Sequence, residues 1–134
     1  LENPLESKGH QIIDLGDDIF TRGKPHPMIE PSIRNERILK EAQNPETKII
    51  LLDFELGYGS HPDPVGITLE TIRKSKEIAQ EENRHITFVA YVCGTKQDDQ
   101  GYSKQVEKLV NEGIYVAKSN AHAALIAGAL VKEV

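Results

Sequence analysis

The chain lacks most of the features that would assign it to a specialised class of protein. Of its 134 residues, one is cysteine, none is tryptophan and 5% are aromatic. A single thiol, Cys93, excludes an internal disulfide framework and fits a reducing compartment, so we expect a cytoplasmic protein. No apolar run approaches the roughly 18 residues that a membrane-spanning helix needs. The first ten residues also lack the basic and apolar regions of a signal peptide.

Basic residues are scarce relative to acidic ones. The chain has 16 Lys and Arg against 21 Asp and Glu, a formal net charge of −5. This balance argues against a nucleic-acid surface, which needs clustered basic residues. The length predicts one domain over residues 1–134. Because the first residue is leucine rather than methionine, we interpret that domain as a fragment of a longer protein.

The apolar pattern predicts four strands that alternate with helices. We expect strands at 11–15, 48–54, 86–93 and 114–117, and helices at 32–43, 64–82, 102–113 and 120–134. Ser32 and Ser119 are the candidate N-caps of the first and last helices, and Gly113 is the candidate C-cap of the third. The unbroken apolar run at 48–54 indicates a strand covered on both faces, and 86–93 is the clearest central strand. The last helix is apolar almost all round, which predicts that it is largely buried. Repeated strand–helix units predict an α/β fold with a parallel sheet and helices on both faces.

Each predicted strand runs into a polar or glycine-rich loop. In an open parallel sheet, ligands bind at the carboxyl ends of the strands, because helix N-termini and loop amides converge there. We therefore expect the functional residues at this edge. The candidates are Asp17, Asp18, Arg22 and His26 in the first loop, Asp53, Gly57, Gly59, His61 and Asp63 in the second, and Gly94 and Thr95 in the third.

In the first loop, Arg22 offers the fork-shaped cation that binds phosphate or carboxylate, with Asp17 and Asp18 in the same substrate site. The alternative is a solvated turn in which Arg22 only neutralises the two acids. His26 lies between two prolines, which suits a preorganised acid–base or anion-binding group. Its alternative is a rigid corner in which the histidine caps a backbone carbonyl.

In the second loop, Asp53 ends an apolar strand, where a buried carboxylate is costly unless hydrogen bonds or a cation compensate it. We predict a functional carboxylate, with a structural ion pair to Arg34 or Arg37 as the alternative. Gly57 and Gly59 would let backbone amides approach a phosphate or an acyl oxygen, although a tight turn explains them equally well.

His61 and Asp63 complete the candidates of the second loop. His61 is a second acid–base candidate. Asp63 is either a substrate ligand or the N-cap of the helix that begins at residue 64. A metal held by Asp17, His26, His61 and Asp63 would lack any recognised ligand spacing, so we predict no metal site.

In the third loop, Gly94 and Thr95 are binding candidates at the same edge. The neighbouring Cys93 has no histidine adjacent in sequence, which favours a buried strand-end cysteine over a nucleophile.

Four segments together resemble the C-terminal part of the FdrA family: HQIIDLGDDIFTRGKPHPMIEPSIRNERI, ILLDFELGYGSHPDP, VAYVCGTKQDDQ and KSNAHAA. These bacterial acyl-CoA-synthetase-like proteins are related to succinyl-CoA synthetase. The resemblance, over about residues 9–134, implies a three-layer, flavodoxin-like CoA-ligase domain of a larger cytoplasmic protein, missing its first strand–helix unit. It also implies allantoin catabolism, acyl or carbamoyl transfer, and CoA or a nucleotide as a cofactor of the parent protein.

The chain departs from succinyl-CoA synthetase at a decisive position. That enzyme carries a phosphorylated histidine in a Gly-His-Ala-Gly loop after the strand corresponding to 86–93. Here the loop runs from Gly94 to Gly101 without a histidine. His122 imitates the local pattern but follows a different strand. The segment containing Glu55 resembles the superfamily's supporting glutamate, yet its partner histidine is missing.

Two functions of different class follow. In the first, the domain forms one wall of an acyl- or carbamoyl-transfer site, in which Asp17, Arg22, His26, Asp53 and His61 bind substrate and move protons. In the second, it is an assembly surface for the rest of an FdrA-like chain and its partner subunits. We expect no nucleic-acid or membrane partner. Because a missing strand leaves a sheet edge uncovered, we also expect the isolated fragment to form a homo-oligomer, most simply a dimer.

Overall fold

The computed structural model describes residues 3–132, which form an α/β domain. The elements are α1 (Asp18–Thr21), α2 (Ser32–Ala42), β1 (Ile49–Glu55), α3 (Gly66–Glu81), β2 (Thr87–Cys93), α4 (Tyr102–Asn111), β3 (Tyr115–Ala117) and α5 (Asn120–Val131). The strands form one parallel sheet in the order β1-β2-β3. The α/β class and the interior position of β2 are therefore confirmed. Within the described residues, no helix is long and apolar enough to cross a membrane.

One side of the sheet, here called the packed face, carries the main core. Because side chains alternate along a strand, Leu52, Phe54, Phe88 and Val92 all point to this face. They are at most 8% exposed. Helices α2, α3 and α4 supply the apolar residues that cover them, including Ile38, Ala42, Ile72, Ala79 and Leu109. This face therefore accounts for most of the buried apolar surface of the domain.

In the part of the chain that the structure describes, the opposite side, here called the α5 face, is covered by α5 alone. Ile126 and Leu130 of α5 pack against a small cluster around Val89 and Ala117. Among the described residues of α5, only Ala123 is buried, and Leu125 is 73% exposed. The prediction of a largely buried last helix is wrong, because α5 contacts the sheet through one narrow side and nothing in residues 3–132 covers its outer side.

Strand β1 is an edge strand, and the prediction that it is covered on both faces is wrong. Leu52 and Phe54 are buried on the packed face, whereas Leu51 is 38% exposed and Asp53 is exposed on the α5 face. Helix α5 packs against β1 at Ile49 and leaves the rest of this face of the strand accessible.

The strand predicted at residues 11–15 is also wrong, so the sheet formed by the described residues has three strands rather than four. The segment has a strand-like sequence, but it pairs with no strand and Ile12 is fully exposed. A strand needs a neighbour for its backbone groups, and in residues 3–132 this segment has none.

The helix ends follow local chemistry. Gly113, at φ 71°, ends α4 in the left-handed conformation that glycine adopts without strain. Ser119 caps α5 by accepting a hydrogen bond from the His122 N–H at 3.1 Å, as predicted. The predicted N-cap at Ser32 is wrong: Ser32 is the first helical residue, and its hydroxyl donates to Glu30 instead.

Candidate functional site

The first loop is held mainly by its own turns. Asp17 caps the four-residue helix α1 by accepting a hydrogen bond from the Ile19 N–H at 3.0 Å. Asp18 is the first residue of that helix, and Arg22 ends it as an exposed residue. No hydrogen bond or ion pair of the Arg22 guanidinium is formed within residues 3–132. Arg22 is therefore a free cation at the surface, and Asp17 already has a structural role.

His26 and His61 adopt the same local arrangement, in which a proline follows each histidine. Nδ1 of His26 accepts a hydrogen bond from the Met28 N–H at 3.1 Å, and Nδ1 of His61 accepts one from the Asp63 N–H at 3.0 Å. Because Nδ1 is the acceptor, the proton of each neutral ring lies on Nε2. His61 is partly buried and His26 is exposed. Both side chains are thus oriented by backbone contacts, and the suggestion that His26 caps a carbonyl is wrong.

A backbone hydrogen bond joins the first loop to the second. The His61 N–H donates to the Met28 carbonyl at 2.9 Å. Since His26 binds the N–H of Met28, the two histidines contact the same residue from its two sides. Two candidates that are 35 positions apart in sequence are thereby brought into one neighbourhood.

Gln100 joins the second loop to the third. Its amide donates to the Gly57 carbonyl at 2.9 Å and to the His61 carbonyl at 3.4 Å, and its oxygen accepts from the Gly57 N–H at 3.1 Å. Gly57 and Gly59 have φ of 121° and 86°, which other residues rarely adopt. The Gly57 amide is occupied, so an incoming anion would meet the amides of Tyr58 and Gly59, which donate to no acceptor within residues 3–132.

Asp63 belongs to a partly buried hydrogen-bond network beside these loops. It caps α3 by accepting from the Gly66 N–H at 3.0 Å, and it pairs with Lys108 at 2.6 Å. Gln105, 2% exposed, donates to Asp63 at 3.0 Å and accepts from the Val65 N–H at 3.1 Å. Partial burial raises the pKa of Asp63, but the hydrogen bonds from Lys108, Gln105 and Gly66 outweigh it and hold the pKa below its ordinary value. The structure thus supports the capping role.

Asp53 lies apart from this network. Its carboxylate is exposed on the α5 face, so the expectation of a buried carboxylate is wrong. The alternative, an ion pair with Arg34 or Arg37, does not form either, since Arg37 pairs with Glu41. Nη1 of Arg34 instead donates to the Asp53 carbonyl at 2.8 Å.

Arg34 is held between α2, β1 and α3. Its guanidinium lies 4.6 Å from the centre of the Phe54 ring, and Nη2 donates to Thr68 at 3.0 Å. Burial lowers the pKa of Arg34, and the charge of Asp53 works in the opposite direction. A buried guanidinium on an aromatic face fixes α2 against the end of β1.

Cys93 has the properties of an unreactive thiol. It is partly exposed on the α5 face, opposite Glu55 in the sheet register. A hydrogen bond to Glu55, followed by burial and the Glu55 charge, raises the pKa of Cys93 above its ordinary value. Because the thiolate is the nucleophile, this environment disfavours nucleophilic chemistry.

Gly94 and Thr95 begin a tightly packed third loop. A Cβ on Gly94 would lie 2.7 Å from Cβ of Leu56, so the second and third loops approach too closely for a larger residue. Thr95 accepts a hydrogen bond from the Gln97 N–H at 3.2 Å and donates its own N–H to Asp98. These contacts give both residues a structural role.

The three loops do not form a CoA pocket by themselves. They carry more acids than bases: Asp17, Asp18, Glu30, Asp63, Asp98 and Asp99 against Arg22, Lys24 and Lys96. One groove of about 270 Å³ lies between the N-terminal segment and α2. A second of similar volume lies between that segment, α1 with Lys24 of the first loop, and α2, and neither is lined by the second or third loop. A cofactor as rich in phosphate as CoA needs cations and free amides, which are few here. The residues present do not fit CoA without further protein.

Comparison with known proteins identifies the class. The sequence profile of the CoA-ligase family matches residues 3–130, and the chain belongs to this family. A curated relative is the uncharacterized protein YahF of Escherichia coli strain K12, which is 47% identical over 118 residues. The match covers 88% of this chain and 23% of YahF. The chain therefore spans about a quarter of the length of this relative.

Sequence reasoning missed Gln100 and Gln105, which organise the site. A glutamine at the apolar position Gln105 of an amphipathic helix was a detectable signal, since a buried amide needs partners. Gln100 carried no such signal, because its partners are backbone groups 39 and 43 positions away.

Proposed function

We propose that this chain is the CoA-ligase-type domain of an FdrA-like cytoplasmic protein and forms one wall of an acyl- or carbamoyl-transfer site. The joining of the first loop to the second through Met28, and of the second loop to the third through Gln100, carries the proposal. These contacts support a common site for His26, His61 and the free amides of Tyr58 and Gly59, beside the carboxyl ends of β1 and β2. Ligands of open α/β sheets bind at the carboxyl ends of the strands.

The proposed roles follow from the hydrogen-bond donors and charges that each group has left for a ligand. Tyr58 and Gly59 supply backbone donors for an anionic oxygen, and His61 supplies a preorganised imidazole with a proton on Nε2. Arg22 is the uncompensated cation for a phosphate or carboxylate. Asp18, Gly57 and Thr95 shape the loops. CoA or a nucleotide would be bound largely by other parts of the parent protein, so we expect this fragment alone to be inactive.

The third loop carries no phosphorylation site of the succinyl-CoA synthetase type. Residues 94–101 contain no histidine, and His122 lies on α5, where its Nδ1 accepts from the Lys118 N–H at 3.3 Å. We infer that transfer proceeds without a phosphohistidine in this domain.

Replacing Arg22 with alanine in the full-length protein tests the proposal. We expect turnover of the carbamoyl- or acyl-transfer reaction to fall at least tenfold, because the anion loses its cation. The free energy of unfolding should change by less than about 0.5 kcal/mol, since surface substitutions rarely do more. Lys74→Ala, an exposed change on α3, is the control. Unchanged turnover in Arg22→Ala would contradict the proposed transfer site and favour the assembly function.

The assembly function is supported by the free edge of β1 and by the exposed Leu125. It predicts that the isolated chain self-associates, most simply as a dimer. Light scattering that finds only monomer at high concentration would contradict it.

A further inference from the structure

Every polar atom of His61 except Nε2 is held by a hydrogen bond. Its N–H donates to the Met28 carbonyl at 2.9 Å, and its carbonyl accepts from the Gln100 amide at 3.4 Å. Its Nδ1 accepts from the Asp63 N–H at 3.0 Å, and Nε2 has no hydrogen-bond partner within residues 3–132. The imidazole is therefore fixed in place, with one nitrogen left for a ligand.

The contact at Nδ1 decides what that remaining nitrogen can do. A backbone N–H always donates, so the neutral ring of His61 carries its proton on Nε2. Nε2 could accept a proton from a substrate only if its own proton moved to Nδ1. The Nδ1–H would then face the Asp63 N–H, so that two donors meet and the hydrogen bond is lost. This geometry favours a hydrogen-bond donor over a general base.

The side chain of Asp63 holds the N–H that orients His61. Its Oδ1 accepts from the Gly66 N–H and from Gln105, each at 3.0 Å, and its Oδ2 pairs with Lys108 at 2.6 Å. These contacts tie Asp63 to the start of α3 and to α4. The donor to the ring of His61 is thus itself fixed from two helices.

His26 adopts the same turn, but its second nitrogen faces its own loop. Nε2 of His26 lies 2.2 Å from the position that a Cβ on Gly16 would take, and Oδ1 of Asp14 lies 3.1 Å from that position. This edge of the ring therefore packs on the backbone of Gly16, beside a carboxylate, and holds the first loop in shape. His61 is the histidine of the pair whose donor is left for a ligand.

Two free backbone donors lie immediately before His61. The Ser60 N–H donates to the Gly57 carbonyl at 3.2 Å and closes a tight turn. The amides of Tyr58 and Gly59 lie in this turn and donate to no acceptor within residues 3–132. Residues 58–61 thus present two amides and one imidazole N–H. Donors preorganised around one oxygen stabilise the negative charge that develops on it during acyl transfer.

We propose that His61 is a neutral hydrogen-bond donor that binds the carbonyl oxygen of the acyl or carbamoyl group. The amides of Tyr58 and Gly59 bind the same oxygen. Lys108 is a positioning residue that acts on the ring through Asp63. In this role the ring neither takes up nor releases a proton. The role rests on the proposed function, which supplies the reaction.

NMR of the ring nitrogens in the isotope-labelled 134-residue chain tests this role without an assay of activity. We expect His61 at neutral pH to show one tautomer, with the proton on Nε2. Lys108→Met should admit the Nδ1–H tautomer, because the turn loses an anchor, whereas Lys104→Met, an exposed change on α4, should not. A wild-type ring with its proton on Nδ1 would overturn the donor role. An unchanged ring in Lys108→Met would overturn the positioning role of Lys108.

Turnover of the full-length protein separates donation from proton transfer. Glutamine places an amide N–H near the position of Nε2 but cannot exchange a proton as imidazole does. We expect His61→Ala to lower turnover about 100-fold, and His61→Gln to stay within about tenfold of wild type. His85→Ala, an exposed change before β2, is the control. Equal losses in the two His61 variants would overturn the donor role, even where Arg22→Ala supports the transfer site. Unchanged turnover in both variants and in Arg22→Ala would overturn the transfer site and this role with it.

Discussion

The three loops of the candidate site differ in how they are held. The second loop is fixed by side chains from outside it: Gln100 of the third loop binds Gly57 and His61, and Gln105 of α4 binds Asp63 and Val65. Gln105 also holds the third loop, since its amide donates to the Gln100 carbonyl at 3.2 Å. The first loop is held by local turns and meets the others through Met28. The candidate site thus combines a preorganised part, which contains His61, with an exposed part held by local turns, which contains Arg22. Preorganised donors stabilise developing charge without reorganisation, whereas an exposed arginine can follow the ligand.

We expect the largest loss of stability when Gln105, which holds the preorganised part, is replaced by alanine. The change leaves the Val65 N–H buried without its partner and removes a donor to Asp63. We expect the free energy of unfolding to fall by about 1–3 kcal/mol, measured by urea denaturation. Gln80→Ala, an exposed change on α3, should alter it by less than about 0.5 kcal/mol. If Gln105→Ala and Gln80→Ala lowered the free energy of unfolding by the same small amount, the Gln105 network would not be what holds the loops.

Because the second and third loops approach closely, we predict that Gly94→Ala destabilises the fold. The new methyl group would overlap Leu56, so we expect a loss of about 1–3 kcal/mol in the free energy of unfolding. Gly128 of α5 is the matched control, because no other group lies within 4 Å of the position that a Cβ would take there. Gly128→Ala should stabilise the helix by up to about 1 kcal/mol. A neutral Gly94→Ala would contradict the tight contact between the loops.

A smaller effect should appear in the pH dependence of stability. The folded pKa of Asp63 is below its ordinary value, so its ionised form stabilises the fold above about pH 4, and this stabilisation is lost as pH falls through the folded pKa. Asp63→Asn keeps a capping oxygen but removes the charge opposite Lys108. At pH 7 it should cost at most about 1 kcal/mol, because the pair is partly exposed. The difference in free energy of unfolding between wild type and Asp63→Asn should disappear in acid. A difference that grows in acid would refute the lowered pKa of Asp63.

Local pattern predicted those parts of the fold that depend on near neighbours in sequence. The apolar run at 86–93 was correctly placed inside the sheet, and Gly113 and Ser119 end and begin helices as expected. Two of the failures, the strand at residues 11–15 and the burial of α5, share a cause. Both have apolar sequences suited to contacts that residues 3–132 do not supply, and sequence pattern does not show whether a partner is present.

The candidate site was predicted in outline but not in its internal contacts. The sequence located the three loops, and the structure joins them. It could not show that Asp53 faces away on the exposed side of β1, because an unbroken apolar run conceals which face each residue takes. It also could not separate the capping role of Asp63 from ligand binding, since both use the same carboxylate.

Titration of the isotope-labelled 134-residue chain with carbamoyl phosphate, followed by NMR, tests most directly whether the three loops act as one site. We predict that the amides of Tyr58 and Gly59 and the ring signals of His26 and His61 shift along a single binding curve. Arg22→Ala should weaken that curve at least tenfold, while Lys74→Ala leaves it unchanged. Inorganic phosphate serves as the reference anion. Shifts confined to one loop, or loops that follow separate curves, would contradict a common site.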